Sequence, residues 1–525
     1  VPTTTTPRPV DPRPGRPPVP RPNRTGALVG LLTAAVTLGV AHLAAALTDP
    51  VGDPVLAVGA TAIDLAPQPV KAFAIRTFGT ADKIVLLGGV LAVLVLVAVV
   101  LGIAAIRRTG AGLTGLVGLG AVLVAAVLAR PAATVADAVP ALVGVAAGAG
   151  ALLALLRDAR PGPAVASGRP HLLNRRQFLT TAAAATLTAV AATTGGQAVG
   201  GRRAAGTRSR SAVRIPPPAT PAPPLPPDVA VEGGPAFVTA NRDFYRVDTA
   251  LTVPQIDVDT WRLRLAGAVE RPRTWSFADL LARDLVERDI TLNCVSNEVG
   301  GPYVGTARWT GVPLAPLLRE AGLRPGQDQL LSRSVDGMTI GTPLTAILDG
   351  RDAMLVVAMN SEPLPVEHGF PVRMLVPGLY GYVGACKWLT ELRVTTFDEV
   401  DPYWVRRGWA ADAPVKTASR IDTPKPFARR PAGPLMIAGV AWAQRRGISA
   451  VEVQVDDGRW QPARLGAGPS ADLWRQWTYR WDARPGSHTV RVRAVDGIGA
   501  MQTEARATPF PDGATGWHSV TVTVT

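Results

Sequence analysis

The stretch Thr291-Leu-Asn-Cys-Val-Ser-Asn-Glu-Val-Gly-Gly301 carries Cys294, one of two cysteines in 525 residues. Arg308-Trp309-Thr310-Gly311-Val312-Pro313-Leu314 follows seven residues later. A lone thiol at the end of an apolar strand, with a Gly-Gly turn behind it, cannot belong to a zinc ribbon or an iron–sulfur site. Those sites need several thiolates or histidines at short spacing. A single soft thiolate can still hold one metal of a cofactor that brings its own remaining ligands.

Around that stretch the composition divides in two. The first part of the chain is rich in Ala, Val, Leu and Gly and poor in aromatics, whereas the tryptophans fall in the later part. The formal charge is +14, which looks like a nucleic-acid signal until it is located. Residues 1–214 hold 21 Lys and Arg against 7 Asp and Glu, and residues 215–525 hold 33 of each sign. The excess therefore flanks hydrophobic spans, where it sets membrane orientation rather than binding phosphates, and no nucleic-acid partner is expected.

Four stretches are long and clean enough to span a bilayer, which needs roughly 20 apolar residues: 26–48, 84–106, 109–129 and 138–156. Gly144-Val-Ala-Ala-Gly148 offers a small-residue face for close helix packing. The arginines of the proline-rich tail (1–25), Arg107 with Arg108, and those from Arg157 to Arg176 mark the inner turns, so the N-terminus is expected in the cytoplasm. Asn174-Arg175-Arg176-Gln177-Phe178-Leu179 then precedes a weakly apolar run from Thr180 to about Gly201, and the segment 171–205 reads as an internal twin-arginine export signal or as an ordinary fifth helix. Either way, everything after residue 205 is expected outside the cytoplasm of a bacterial cell membrane. His42 is the single histidine of the four spans, so they cannot build a bis-histidine haem site. Neither haem nor an iron–sulfur cluster is expected.

Residues 215–228 hold eight prolines and read as an extended spacer. At ~3.1 Å per residue it would reach about 40 Å. It forms most of a linker (206–230). An α+β pattern occupies 231–400, a connecting segment 401–430, and an all-β, immunoglobulin-like pattern 431–525. The fold class expected is thus multidomain: an α-helical membrane bundle, an α+β domain, and a C-terminal immunoglobulin-like β-sandwich.

Several motifs in this half resemble the sulfite oxidase family of molybdopterin enzymes. Cys294 stands where that family's molybdenum ligand stands. Asn241-Arg-Asp-Phe-Tyr245 resembles its pterin-contact segment, with Asn241, Phe244 and Tyr245 at the contact positions. Asp336, in Ser-Val-Asp-Gly-Met, falls at a further contact. In Met359-Asn-Ser-Glu-Pro-Leu-Pro-Val-Glu-His-Gly-Phe-Pro-Val-Arg373, His368 and Arg373 match the pair that binds the pterin and its phosphate. Residues 377–388 resemble the following pterin loop, with Ala385, Cys386 and Lys387 at contact positions. The resemblance implies a sulfite-oxidase-type domain, one pterin with its molybdenum, Cys294 as metal ligand and catalytic centre, and a C-terminal domain that forms a homodimer. The residues suit that chemistry, since a pterin phosphate wants a fixed guanidinium and a nearby donor. A structural disulfide between Cys294 and Cys386 stays open as an alternative, as does a Cys386 that lends only backbone contacts.

The chain departs from sulfite oxidases where those enzymes collect their anion. An arginine that follows the cysteine is replaced by Ser296-Asn297-Glu298, and one that precedes the Asn segment by Thr239-Ala240. The family's catalytic tyrosine falls near Ile340. An anion meeting Glu298 would lose on the order of 1–3 kcal/mol. The resemblance extends to the family's exported bacterial branch, which includes a periplasmic methionine-sulfoxide reductase subunit. The expected activity is therefore reduction of an S-oxide or N-oxide type substrate, small or protein-bound, with a membrane electron donor, acceptor or quinone as partner. A sulfite dehydrogenase and a non-catalytic cell-surface binding module are the alternatives.

Overall fold

The computed structural model describes residues 22–48, 52–67, 82–159, 171–202 and 205–525, and the single positions 70, 73, 77 and 78. The basic tail lies, up to residue 21, outside them. Two compact units divide the chain, Val1–Arg202 and Arg203–Thr525.

The first unit is helical: α1 (Pro22–Leu47), α2 (Pro54–Leu65), α3 (Asp82–Arg107), α4 (Thr109–Leu128), α5 (Val139–Ala159) and α6 (His171–Arg202). All but α2 are long and apolar enough to cross a membrane. Small residues set the packing. A Cβ on Gly102 of α3 would lie 2.5 Å from Gly30 Cα of α1, and one on Gly144 of α5 would lie 2.5 Å from the Thr37 carbonyl of α1. The small-residue face read from Gly144 and Gly148 is thus buried against α1, letting backbones approach where no hydrophobic drive exists. The twin-arginine stretch folds as part of α6, whose Ala185 and Ala189 pack on Val36 of α1. His42 Nδ1 donates a 2.7 Å hydrogen bond to one Asp53 oxygen, and the other oxygen accepts from Val55 and Leu56 at the start of α2.

The second unit opens with α7 (Ala205–Ala212), followed by the proline segment. That segment is not the free 40 Å spacer expected from its composition. Thr220 pairs with Val286, its carbonyl accepts from Glu287 N at 2.9 Å, and Ile215 and Leu225 pack on the core. Arg210 of α7 donates to the Pro363 and Leu364 carbonyls at 3.0 and 2.9 Å. Prolines remove donors but leave carbonyls, so such a strip can still be captured along an edge strand.

Ten strands form the body: β1 (Arg262–Gly267), β2 (Arg273–Ser276), β3 (Val286–Asn293), β4 (Val304–Pro313), β5 (Gln329–Ser334), β6 (Thr339–Pro343), β7 (Met354–Met359), β8 (Glu362–Pro363), β9 (Arg373–Leu375) and β10 (Leu389–Thr395). One sheet runs β2-β1-β10-β5-β6, and the other runs β3-β4-β7-β8 with β9 on β7. Met354-Leu-Val-Val-Ala-Met359 is buried throughout, as a strand covered on both faces must be. The helix Leu314–Ala321 buries Leu314, Leu317, Leu318 and Ala321, one face at helical period, and stops at Gly322 with φ +72°. Each such leucine contributes roughly 1.5–3 kcal/mol.

Nine strands follow: β11 (Ala418–Thr423), β12 (Arg429–Arg430), β13 (Gly433–Trp442), β14 (Ile448–Val455), β15 (Gln461–Pro462), β16 (Arg464–Leu465), β17 (Arg475–Ala483), β18 (Gly486–Asp496) and β19 (His518–Val524). They make two sheets, β11-β13-β17-β16 and β12-β19-β18-β14-β15. Ile437, Val451, Trp477, Val490 and Val522 fill a core common to both. β11 already pairs with β13, so this sandwich begins inside the expected connecting segment. Trp474 joins the preceding core instead, donating to the Phe237 carbonyl at 3.1 Å.

Candidate functional site

β3 delivers Cys294 to the edge of the core. Its residues are half-buried at first and buried from Ile290 on. The chain then turns: Asn297 N donates to the Cys294 carbonyl (3.1 Å), Cys294 N donates to the Tyr303 carbonyl (3.0 Å), and Asn297 Oδ1 accepts from Tyr303 N (2.8 Å). Gly300 sits at φ +80°, where a Cβ would run into the His518 ring. The sandwich holds this turn from outside. Arg420 donates to the Gly301 carbonyl at 2.9 Å, Trp474 N to Thr291 Oγ1 at 2.7 Å, and Gln444 to the Thr291 carbonyl at 3.2 Å. His518 Nδ1 accepts from Ile421 N at 3.0 Å, and burial beside Arg420 holds the imidazole down to about 4, so it stays a neutral acceptor.

Cys294 opens onto a cavity of about 110 Å³. Tyr245, Asp336, Arg373, Ala385 and Lys387 border it, all expected from the sequence. Burial pushes the Cys294 thiol up, against a hydrogen bond from Ser296. Both cysteines are free, so the disulfide alternative is set aside. Among the described residues no group of three or more His, Cys, Asp or Glu could hold a metal ion. A metal here needs ligands that arrive with it.

Arg373 enters on β9, paired to Val356 of β7. Its Nη1 donates to the His368 carbonyl at 3.3 Å and its guanidinium lies 5.2 Å from the Trp309 ring centre. Its buried Nε has no partner among the described residues. Burial pulls it down to about 10, still cationic at neutral pH. A fixed guanidinium with an unmet donor is what an anionic group such as a phosphate would satisfy.

Asn241, Phe244 and His368 stand together behind the cavity rather than in its wall. His368 Nε2 lies 3.1 Å from the Asn241 carbonyl, which can only accept, so Nε2 carries the proton. Burial and Arg373 lower His368 to about 4, which leaves Nδ1 with a free lone pair. Asn241 accepts from Asn360 at 2.8 Å and donates to the Met359 carbonyl at 3.2 Å. Phe244 meets Trp309 and His368 edge-on, at 5.6 and 5.7 Å, and stacks on Tyr245.

Cys386 does not face the cavity. Ala385 and Lys387 do, and the alternation of the chain turns Cys386 between them into the core, where burial drives its thiol up to about 12. Its carbonyl accepts from Met374 N at 2.9 Å. Glu298 is likewise not where an anion would meet it: it is exposed and borders a separate small cavity behind the turn. Ile340 does border the Cys294 cavity.

Sequence reading missed Asp248, whose carboxylate accepts from Lys387 Nζ at 2.8 Å and from Arg246 Nε at 3.0 Å. Lys387 also donates to the Glu367 carbonyl at 3.2 Å and lies 4.4 Å from the Trp388 ring centre. Thr249, which donates to Asp336 at 2.9 Å, was missed too, as were Tyr382, Trp404 and Trp409 on the cavity wall. A tryptophan pair within six residues was the available signal for the last two.

The cavity thus brings together one thiol, a guanidinium with an unmet donor and apolar walls. The family model for the oxidoreductase molybdopterin binding domain matches residues 250–404. The uncharacterized oxidoreductase YuiH of Bacillus subtilis is 31% identical over 29% of this chain and 74% of its own length. Mitochondrial sulfite oxidase of Rattus norvegicus is 30% identical over 49% of this chain and 53% of its own. The sulfane dehydrogenase SoxCD of Paracoccus pantotrophus matches in structure with a TM-score of 0.46, at 25% identity, over 53% of this chain and 76% of its own. The chain belongs to the sulfite oxidase family of molybdopterin oxidoreductases, an enzyme class that depends on a molybdenum cofactor. It spans little more than half the length of the mammalian sulfite oxidases it matches.

Proposed function

We propose that this chain is a membrane-anchored, extracytoplasmic molybdopterin oxidoreductase in which Cys294 is the protein's ligand to molybdenum, and that it reduces an S-oxide or N-oxide type substrate. The observation that carries the reading is the charge state of the cavity. Of its two bordering cations, Lys387 is paired with Asp248, and Arg373, whose Nε is unmet, is the group that would take the phosphate of the bound cofactor, so neither is left for an anionic substrate. The bound group would supply two-electron oxygen-atom chemistry. The residues would do the rest: Arg373 with its unmet Nε would bind the phosphate, His368 behind the cavity would steady Arg373 through its carbonyl, and the Cys294–Gly301 turn would fix the thiolate. The substrate's oxygen would leave as water, with two protons and with two electrons drawn from a membrane donor such as a quinol.

The five long apolar helices among the described residues support the membrane anchor. The arginine pattern puts the N-terminus inside the cell. The sandwich is read as immunoglobulin-like and as the surface for a homodimer. The test is the molybdenum and pterin content of the full chain, purified in detergent from a bacterium that makes the cofactor, beside Cys294→Ser. About one molybdenum per chain, lost or spectrally altered in the variant, is expected. A folded protein without metal refutes the reading and leaves the cell-surface binding module. Bleaching of the metal's visible band by sulfite would replace reduction by sulfite oxidation.

A further inference from the structure

The expected connecting segment holds an aromatic wall that the reading so far does not use. Pro402 to Ala410 runs through a 3₁₀ turn (Val405–Arg407) and a left-handed glycine, Gly408 at φ +87°, which returns Trp409 toward the cavity that Trp404 also borders. The two indoles cross at 78° with centres 6.2 Å apart, and Tyr382 lies 5.6 Å from Trp409. Phe510, from the loop before β19, supports Trp409 from behind at 5.3 Å.

This wall is built rigidly. Tyr382 Oη donates to the Ala410 carbonyl at 2.6 Å, Ala410 N donates to the Pro511 carbonyl at 3.1 Å, and Lys416 bridges to Asp512 at 2.9 Å. Its chemistry is uncharged. Arg407 lies flat on Tyr403 at 3.5 Å and donates to the Tyr403 carbonyl, Arg406 points to solvent, and neither borders the cavity. Met338 and Ile340 border the same cavity. The buried Trp409 Nε1–H has no partner among the described residues and is a spare donor for a neutral oxygen.

We propose that residues 402–410 with Tyr382 form the substrate-selecting wall of the Cys294 cavity, and that this wall selects uncharged substrates with an aromatic body beside the oxygen-bearing atom. The inference rests on the molybdenum reading above and deepens it. An aryl group stacks on indole faces, whereas an anion would lose its water against them and meet no free cation.

The test uses unreactive sulfones, which share the shape and oxygens of the substrate class. Binding of methyl phenyl sulfone, dimethyl sulfone and sulfite to the molybdenum-loaded full chain is followed by calorimetry and tryptophan quenching. The aryl sulfone is expected to bind about tenfold tighter than the dimethyl compound, and sulfite weakest. Trp409→Ala and Trp404→Ala should each erode that preference with molybdenum content unchanged, and Trp409→Phe should keep it. Equal affinity for the two sulfones, tightest binding of sulfite, or a preference that survives both alanine variants overturns the inference while leaving the enzyme reading intact. A wild-type chain that takes up no molybdenum overturns both.

Discussion

Replacing Asp248 by Asn should cost about 2–3 kcal/mol at pH 7, and the size of that loss should depend on pH in one particular way. Lys387 is pushed down from 10.5 to about 8, burial outweighing the pull of Asp248. At pH 7 its ammonium therefore persists by a margin of only about 1 kcal/mol. The carboxylate 2.8 Å away supplies several kcal/mol of attraction even at the screening typical of protein sites. Without it the lysine sheds its proton, which caps the electrostatic loss near that margin. The broken charge-assisted hydrogen bond adds about 1–2 kcal/mol. A folded value below the unfolded one means that the folded chain releases the proton first, so stability rises with pH between about 8 and 10.5 in the parent protein. In the variant that rise starts lower. The gap between the two should shrink by about 1 kcal/mol per pH unit up to about 8 and level off above it. Urea unfolding of the full chain in detergent, followed by tryptophan fluorescence, reads this cleanly, because every tryptophan lies at or beyond Trp261. A gap that is constant from pH 6 to 9, or that widens with pH, would refute the coupling.

Other perturbations have equally definite signs. Gly300→Ala should lose about 2–4 kcal/mol, combining a left-handed backbone with overlap on the His518 ring, and His518→Ala in the same chain should recover the overlap part in thermal unfolding. Acid should destabilise the second unit between about 6.5 and 4, because His368 and His518 both titrate lower when folded, at about 4. Their contribution is full above 6.5 and lost on acidification, up to about 3 kcal/mol each. His518→Gln should make that acid limb shallower in a pH series of urea midpoints. In the helical unit, Gly148→Val should cost about 1–3 kcal/mol by collision with Thr37, read as earlier thermal aggregation in detergent. Gly150→Val, which meets open space, should not.

What the sequence made legible was whatever a local pattern encodes. Four of the five long apolar helices followed from uninterrupted apolar runs. The fifth shares its composition with an export signal, and a local pattern does not tell that its Ala185 and Ala189 pack on Val36. The proline segment is extended, as its residues require, but whether it docks is decided by Thr220 and Glu287, far apart in sequence. Cys294, Asp336, Arg373 and Lys387 gather round one cavity as expected. Asp248 was hidden because Arg246-Val-Asp-Thr249 looks like a solvated turn, and its partner Lys387 arrives from a distant loop. Glu298 fails for the opposite reason: adjacency to a site residue says nothing about which way a side chain points, and the inward turn of the Cys386 side chain was hidden in the same way.

The turn that carries Cys294 is finished by residues made much later. Its glycine pair is seated by Arg420 of β11 and His518 of β19, and the strand that leads into it is pinned by Gln444 and Trp474. During synthesis the cysteine leaves the ribosome long before those groups exist. Until they do, the β1–β10 body lacks the groups that seat this turn. A chain truncated before β19 would lose the seat of the Cys294 turn along with a strand of its β-sandwich.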